Sequence, residues 1–133
     1  MKLLILDADG VLWAGVAGQR IQPYYNVQQT YLDAGVPLAL LTRNTENHIV
    51  SAFKDARNVI SLSDFGAVSF ECDDKADGIR ALAAQTCALS DVTYVDDELD
   101  QCELVMEALP MVNVVHAPRK HALDVARAVA ESI

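Results

Sequence analysis

The sequence predicts a doubly wound α/β domain, a three-layer α/β/α sandwich around a parallel sheet, and three observations carry that expectation. Apolar runs of strand length at residues 3–6 and 38–41 are continuous rather than alternating, as in strands buried on both faces, and Val92-Thr93-Tyr94-Val95 makes a further short strand run. Stretches of helical period separate these runs. Each run ends abruptly in polar or acidic residues, as strands do at the edge where open α/β sheets place ligands.

Taken in order, the first run delivers Asp7-Ala8-Asp9-Gly10. Strand geometry alone would send Asp7 and Asp9 to opposite faces, but a turn at Gly10 lets both face one crevice. In isolation the motif is equally an ordinary solvated turn. Residues 14–22 contain Gly15 and Gly18 with no clear period and read as a loop or short flap. Pro23 then opens a helix through Tyr24, Val27, Tyr31 and Leu32, closed by Gly35 and followed by Pro37.

The second run ends in Thr42-Arg43-Asn44-Thr45-Glu46, where Asn44 or Thr45 can cap a helix over residues 46–56. Short β candidates occupy 59–62 and 66–70, at least one of them a parallel strand. Asp73 and Asp74 can cap a helix over 75–85 with Ile79, Leu82 and Ala83 facing inward. Lys75 falls in its first turn, where a cation opposes the helix dipole, which points to a partner outside the helix. The third run ends in Asp96-Asp97-Glu98, with Asp100 beyond. A helix to residue 109 stops at Pro110, a last strand spans 111–115, and Pro118 precedes an amphipathic helix through Leu123, Val125, Ala126 and Val129.

A length of 133 residues with 52% hydrophobic and 22% charged side chains suits one domain over 1–133 with a real core. No repeat, low-complexity segment or linker divides it. Nineteen acids against ten bases, a net charge of -9, disfavour nucleic acid and anionic membrane as partners, so an anionic substrate needs a local cation. No stretch approaches membrane-spanning length and the N-terminal flank is wrong for a secretory signal. Cys72, Cys87 and Cys102 show no paired spacing, and a reducing cytoplasm is expected.

In a doubly wound sheet the strand ends converge, bringing together Asp7 and Asp9, Thr42 and Arg43, Lys75, and Asp96 and Asp97. This is a set for phosphoryl transfer: carboxylates for a divalent cation, one carboxylate as nucleophile, and a hydroxyl and an ammonium for an anion. Magnesium suits oxygen-only ligands, and an aspartyl-phosphate intermediate follows from a carboxylate nucleophile.

The stretch Asp7-x-Asp9-Gly10-Val11-Leu12-Trp13, Thr42 after its apolar strand, Lys75 and Val95-Asp96-Asp97-Glu98 resemble the four ordered motifs of the haloacid dehalogenase (HAD) superfamily of phosphohydrolases. Leu12-Trp13, the stretch from Thr42 to Glu46 and Asp96-Asp97-Glu98 are most similar to the capless branch that holds magnesium-dependent phosphatases and glyceryl-transferase-like proteins. The resemblance implies a Rossmann-like core without a sizeable cap. It implies Asp7 as nucleophile, Asp9 as general acid and base, Thr42 as phosphate donor, Lys75 as charge stabiliser and Arg43 as a further phosphate contact. Magnesium (Mg2+) would be held by Asp7, the backbone carbonyl of Asp9 and one of Asp96 or Asp97, with Asp96 favoured. Ala8 and Gly10 depart from the commoner family pattern, where a larger residue and an asparagine or tyrosine stand. Residues 14–22 are too short for a cap and 46–74 are consumed by core elements, so the site should be open unless a neighbouring subunit of a homo-oligomer covers it.

The function expected is a magnesium-dependent phosphatase acting on a phosphorylated small molecule or phosphoprotein. The alternatives are a carrier-protein-dependent glyceryl or phosphoryl transferase, which would want a reactive thiol such as Cys72, and a catalytically silent interaction module, against which the complete acid, hydroxyl and lysine set argues. Trp13 reads as packing beside the site. His48, His116 and His121 have no metal spacing, and the basic spot from His116 to Lys120 reads as a solvated face.

Overall fold

The structure is a computed structural model that describes residues 2–133. Strands β1 (Leu3–Leu6), β4 (Leu38–Leu41), β5 (Ala67–Ser69), β6 (Val92–Asp96) and β7 (Asn113–His116) form one five-stranded sheet in the order β5-β4-β1-β6-β7. Every neighbouring pair is parallel. Strands β1, β4 and β6 are buried on both faces throughout, which is why β1 and β4 are continuously apolar, while β6 buries Thr93 and Asp96 among its apolar residues.

The alternation of side chains along these strands divides the core. Leu4, Leu6, Leu38, Leu40 and Val95 face one layer, built by helices α1 (Tyr25–Asp33), α2 (Glu46–Phe53) and α5 (Ala122–Ser132). Leu3, Ile5, Ala39, Leu41 and Tyr94 face the other, built by α3 (Lys75–Ala83) and α4 (Leu99–Ala108). From β1 the chain proceeds outward through β4 to β5 and returns to place β6 on the opposite side of β1. The carboxyl ends of β1 and β6 therefore border the topological switch point, the crevice such sheets use for ligands.

Four expectations need correction. Residues 14–22 are not simply a loop: β2 (Trp13–Gly15) and β3 (Ile21–Pro23) pair antiparallel as a hairpin over the end of β1. Pro23 closes β3 instead of opening a helix, and α1 begins at Tyr25 after the Tyr24 amide donates to the carbonyl of Leu12 at 3.0 Å. Residues 59–62 are no strand. Ile60 is buried as a core plug, and the amides of Val59 and Ile60 donate to Oε1 of the buried Gln28 at 2.9 and 3.2 Å, so a side-chain amide replaces a strand partner. The last strand runs two residues later than expected at its start, because Met111 stays exposed and pairing with β6 begins at Asn113.

Helices α2 and α3 begin where their caps say. Thr45 Oγ1 accepts from the amide of His48 at the start of α2, and the Asp74 carboxylate accepts from the amides of Ala76 and Asp77 at the start of α3. No helix among the described residues is long and apolar enough to cross a membrane.

Candidate active site

Side-chain parity puts the acids together. Asp7 continues the Leu3–Ile5 face past the end of β1, and Asp96 continues the Val92–Tyr94 face of β6, so both point to the side on which α3 packs. The cap at Asp74 fixes where α3 starts and thereby where Lys75 enters. Its buried Nζ lies 3.1 Å from Asp7 Oδ1 and 3.5 Å from Asp96 Oδ2. This is the partner outside the helix that the position of Lys75 required. Asp7, Asp96 and Asp97 each offer a carboxylate oxygen within 4.8 Å of the others.

The charges perturb one another. Burial, reinforced by Asp96 and Asp97 and only partly opposed by Lys75, holds the Asp7 carboxyl well above the usual carboxylate range. For Lys75, burial works against the ammonium, but Asp7 and Asp96 more than offset it and the group stays charged. Burial and the neighbouring Asp96 raise Asp97, against the opposing pull of Asp7 and Arg119.

Asp96 is fully engaged. Its Oδ2 accepts from the Tyr94 hydroxyl, its Oδ1 from the amide of Glu98 at 3.1 Å, and Lys75 sits 5.7 Å from the centre of the Tyr94 ring. Burial first, and the acids around it, push the Tyr94 phenol well above its ordinary value and keep it a donor. Asp97 differs. Its Oδ2 is 3.5 Å from Arg119 Nε, while its buried Oδ1 has no hydrogen-bond partner. His116 Nε2 donates to the Asp97 carbonyl at 3.0 Å, which fixes the backbone there.

Gly10 explains how Asp97 comes so near β1. Its φ is +83°, and a Cβ at this position would lie 2.0 Å from Asp97 Oδ2. We expect Gly10→Ala to cost about 1–3 kcal/mol of stability through the left-handed backbone alone, and to displace Asp97 as well. Thermal unfolding should fall by several degrees; an unchanged midpoint would overturn both the backbone cost and the clash with Asp97.

Asp9 lies across the cleft with its carboxylate outside the cluster of three acids. Val11 and Leu12 donate their amides back to the Ala8 carbonyl, a single tight turn that reverses the chain after Asp7. Asp9 Oδ1 accepts from Trp13 Nε1 and the Ala17 amide, both at 2.8 Å, and Oδ2 accepts from Asn44 Nδ2 at 3.1 Å. The hairpin thus grips the second acid from one side and the loop after β4 from the other. Asn44 Oδ1 accepts from the Thr45 amide at 2.7 Å, which fixes the orientation of its side-chain amide.

Thr42 is buried, and its Oγ1 accepts from the Asn44 amide at 3.0 Å, leaving the hydroxyl proton for an anion. A cleft of about 60 Å³ is lined by Asp7, Asp9, Thr42, Lys75 and Asp96, with exposed Arg43 at its mouth. Of the seven catalytic, phosphate-binding and metal candidates, all but Asp97 border this cleft, and Asp97 joins through the acid cluster. Cys72 does not line it. Its thiol donates to the Asp74 carbonyl at 3.1 Å, and burial pushes it up, away from a reactive thiolate.

The sequence reading missed Tyr94 and Asn44 and saw Trp13 only as packing. Tyr94 had a signal: two residues before Asp96 in a strand, it shares its face. The other two act through turn geometry that no period reveals.

Fold and site together define a class: a doubly wound α/β core whose acids, hydroxyl and lysine meet at the topological switch point. Solved structures agree on the fold. The N-terminal part of a Bacteroides fragilis protein, containing a phosphatase domain complexed with Mg, superposes at a TM-score of 0.85 with 23% identity over 97% of this chain. This chain spans 39% of that one. The 3-deoxy-D-manno-octulosonate 8-phosphate phosphatase of Moraxella catarrhalis, in complex with magnesium, phosphate and KDO, gives 0.61 and 19% identity, covering 99% of this chain and 84% of its own. A HAD superfamily subfamily III A hydrolase from Legionella pneumophila gives 0.56 and 15%, covering 98% and 86%. No protein-family model matches the sequence, and comparison with curated proteins finds no match.

Proposed function

We propose that the protein is a magnesium-dependent phosphatase that hydrolyses a small-molecule phosphate monoester through an aspartyl-phosphate on Asp7. The observation that carries this reading is the buried Lys75 ammonium 3.1 Å from Asp7 Oδ1 and 3.5 Å from Asp96 Oδ2. A carboxylate so held is oriented for attack yet relieved of part of its charge.

The donor set fits a hard divalent cation: three carboxylates within reach of one another, and the buried Oδ1 of Asp97 without a partner. Asp7 and Asp97 would hold magnesium directly, with Asp96 tied to Tyr94, Lys75 and the Glu98 amide beside them. When bound, the ion offsets the negative charge of the phosphoryl group.

The chain's own residues supply the rest. Asp7 attacks phosphorus, and the bond to the leaving oxygen breaks as Asp9 gives that oxygen its proton. Thr42 donates its hydroxyl hydrogen to a phosphoryl oxygen, and Lys75 neutralises the charge between Asp7 and the transferred group. Asp9 then takes a proton from water, whose oxygen attacks phosphorus and releases Asp7 with inorganic phosphate.

Purified protein should hydrolyse p-nitrophenyl phosphate with magnesium, lose activity in excess chelator and regain it on adding magnesium. Calcium should bind and support little turnover, because its longer, looser coordination misplaces the reacting oxygens. Full activity in excess chelator would overturn the metal-dependent reading.

A further inference from the structure

We infer that the substrate is a phosphate ester whose alcohol portion carries a second anionic group, bound by Arg43 in the cavity on the Asp9 side of the cleft. This deepens the phosphatase reading and rests on it, since it concerns what lies beyond the transferred phosphoryl group.

Asp9 must touch the leaving oxygen, so the leaving group extends into whatever space Asp9 borders. That space is a cavity of about 390 Å³ whose walls include Asp9, Val16, Gln19, Arg43, Asn44 and His48. Its volume suits a metabolite-sized group. Its floor is the β2–β3 hairpin and the loop after β4, both already fixed by their grip on Asp9.

The charges around it are unequal. Arg43 is exposed and makes no ion pair or side-chain hydrogen bond among the described residues. It is the one fixed cation in the walls of this cavity, and Asp9 the one acid. Arg43 also borders a second cavity, of about 450 Å³, which presents Asp73, Asp74 and Glu107 against a single further cation, Lys75, already paired with Asp7 and Asp96. An anionic leaving group is therefore repelled from one side and drawn to the other. In a chain of net charge -9, an unpartnered guanidinium at this junction is the local cation that an anionic substrate needs.

Arg43 is also poorly placed to be spent on the transferred phosphoryl group. Thr42 and Lys75, which serve that group, are buried, whereas Arg43 stands at the mouth. Beside it, Asn44 Oδ1 can only accept, so the contact at 3.1 Å makes His48 Nδ1 the donor. The Nε2 of His48 is then an acceptor, left to meet a hydroxyl of the substrate.

The test compares 3-phosphoglycerate with glycerol 3-phosphate, which differ in a carboxylate against a hydroxymethyl group, and fructose 1,6-bisphosphate with fructose 6-phosphate. A charge-assisted contact should raise kcat/KM about tenfold for the member with the second anion. Preference in the first pair assigns a carboxylate, and in the second a second phosphate. Arg43→Gln should bring the preferred ratio toward one. Equal kcat/KM within both pairs, or a ratio that Arg43→Gln leaves unchanged, overturns the inference while hydrolysis of p-nitrophenyl phosphate upholds the phosphatase reading. Loss of every hydrolytic activity in the wild type overturns both.

Discussion

Asp7→Asn is expected to lower turnover by on the order of 10⁴-fold or more, because the amide keeps the shape of the side chain and cannot attack phosphorus. The variant should fold. The substituted amide still offers a carbonyl oxygen to the Lys75 ammonium, and Asp96 remains 3.5 Å from Nζ, so that ammonium keeps a counter-charge. The stability profile carries a second signature. The folded pKa of Asp7 is raised by burial and by Asp96 and Asp97, so the metal-free folded state binds its proton more tightly than the unfolded chain does. The stabilisation from this group is present below the unfolded pKa and is lost as pH rises through the folded one. In excess chelator, the thermal stability of the wild type relative to Asp7→Asn should fall from acid toward neutral pH. Turnover near the wild-type rate in the variant would remove Asp7 as nucleophile; parallel stability profiles would remove the electrostatic account.

Asp9→Asn should slow both protonation of the leaving group and activation of water, by about 10² to 10⁴ each, since the amide can do neither. Geometry adds a cost. The carboxylate accepts on both oxygens, and an amide must set an N–H₂ against Asn44 Nδ2 or, if flipped, against Trp13 Nε1 and the Ala17 amide. The first orientation preserves two of the three contacts and should prevail. Trp13 is the only tryptophan, so its fluorescence reports whether the grip on residue 9 survives. Unchanged emission with collapsed phosphate release is the expected pair of results. Undiminished phosphate release would remove Asp9 from proton transfer.

The sheet was legible in the sequence because burial on both faces leaves an unbroken apolar signature in Leu3–Leu6 and Leu38–Leu41. The acids could be gathered because a parallel sheet brings its strand ends together, and the lysine because the Asp73-Asp74 cap puts it in the first turn of α3. The hairpin was hidden: Trp13-Ala14-Gly15 and Ile21-Gln22-Pro23 are three residues each, too short to show a period, and one ends in a proline. Residues 59–62 look like a strand because Ile60 is a core residue, and only Gln28, distant in sequence, decides otherwise. The same holds within the site. That Asp96 is occupied while Asp97 has a spare oxygen depends on Tyr94, the Glu98 amide and a glycine on another strand end, none of which the Asp96-Asp97 pair reveals by itself.

The hairpin that grips Asp9 is a wall and not a door. Trp13 is fully buried and meets Phe53 edge-on at 5.2 Å, and Phe53 meets Phe65 at 6.0 Å, so an aromatic column runs from the hairpin into the domain. Swinging the hairpin outward would bring the indole into water, exposing on the order of 200 Å² at about 25 cal/mol/Å², roughly 5 kcal/mol. Fewer than about one molecule in 10³ would stand open at any moment. Substrate entry and product departure must then occur past a fixed threshold, and the timing of the catalytic cycle is left to chemistry and diffusion, with no gating step contributed by this part of the chain.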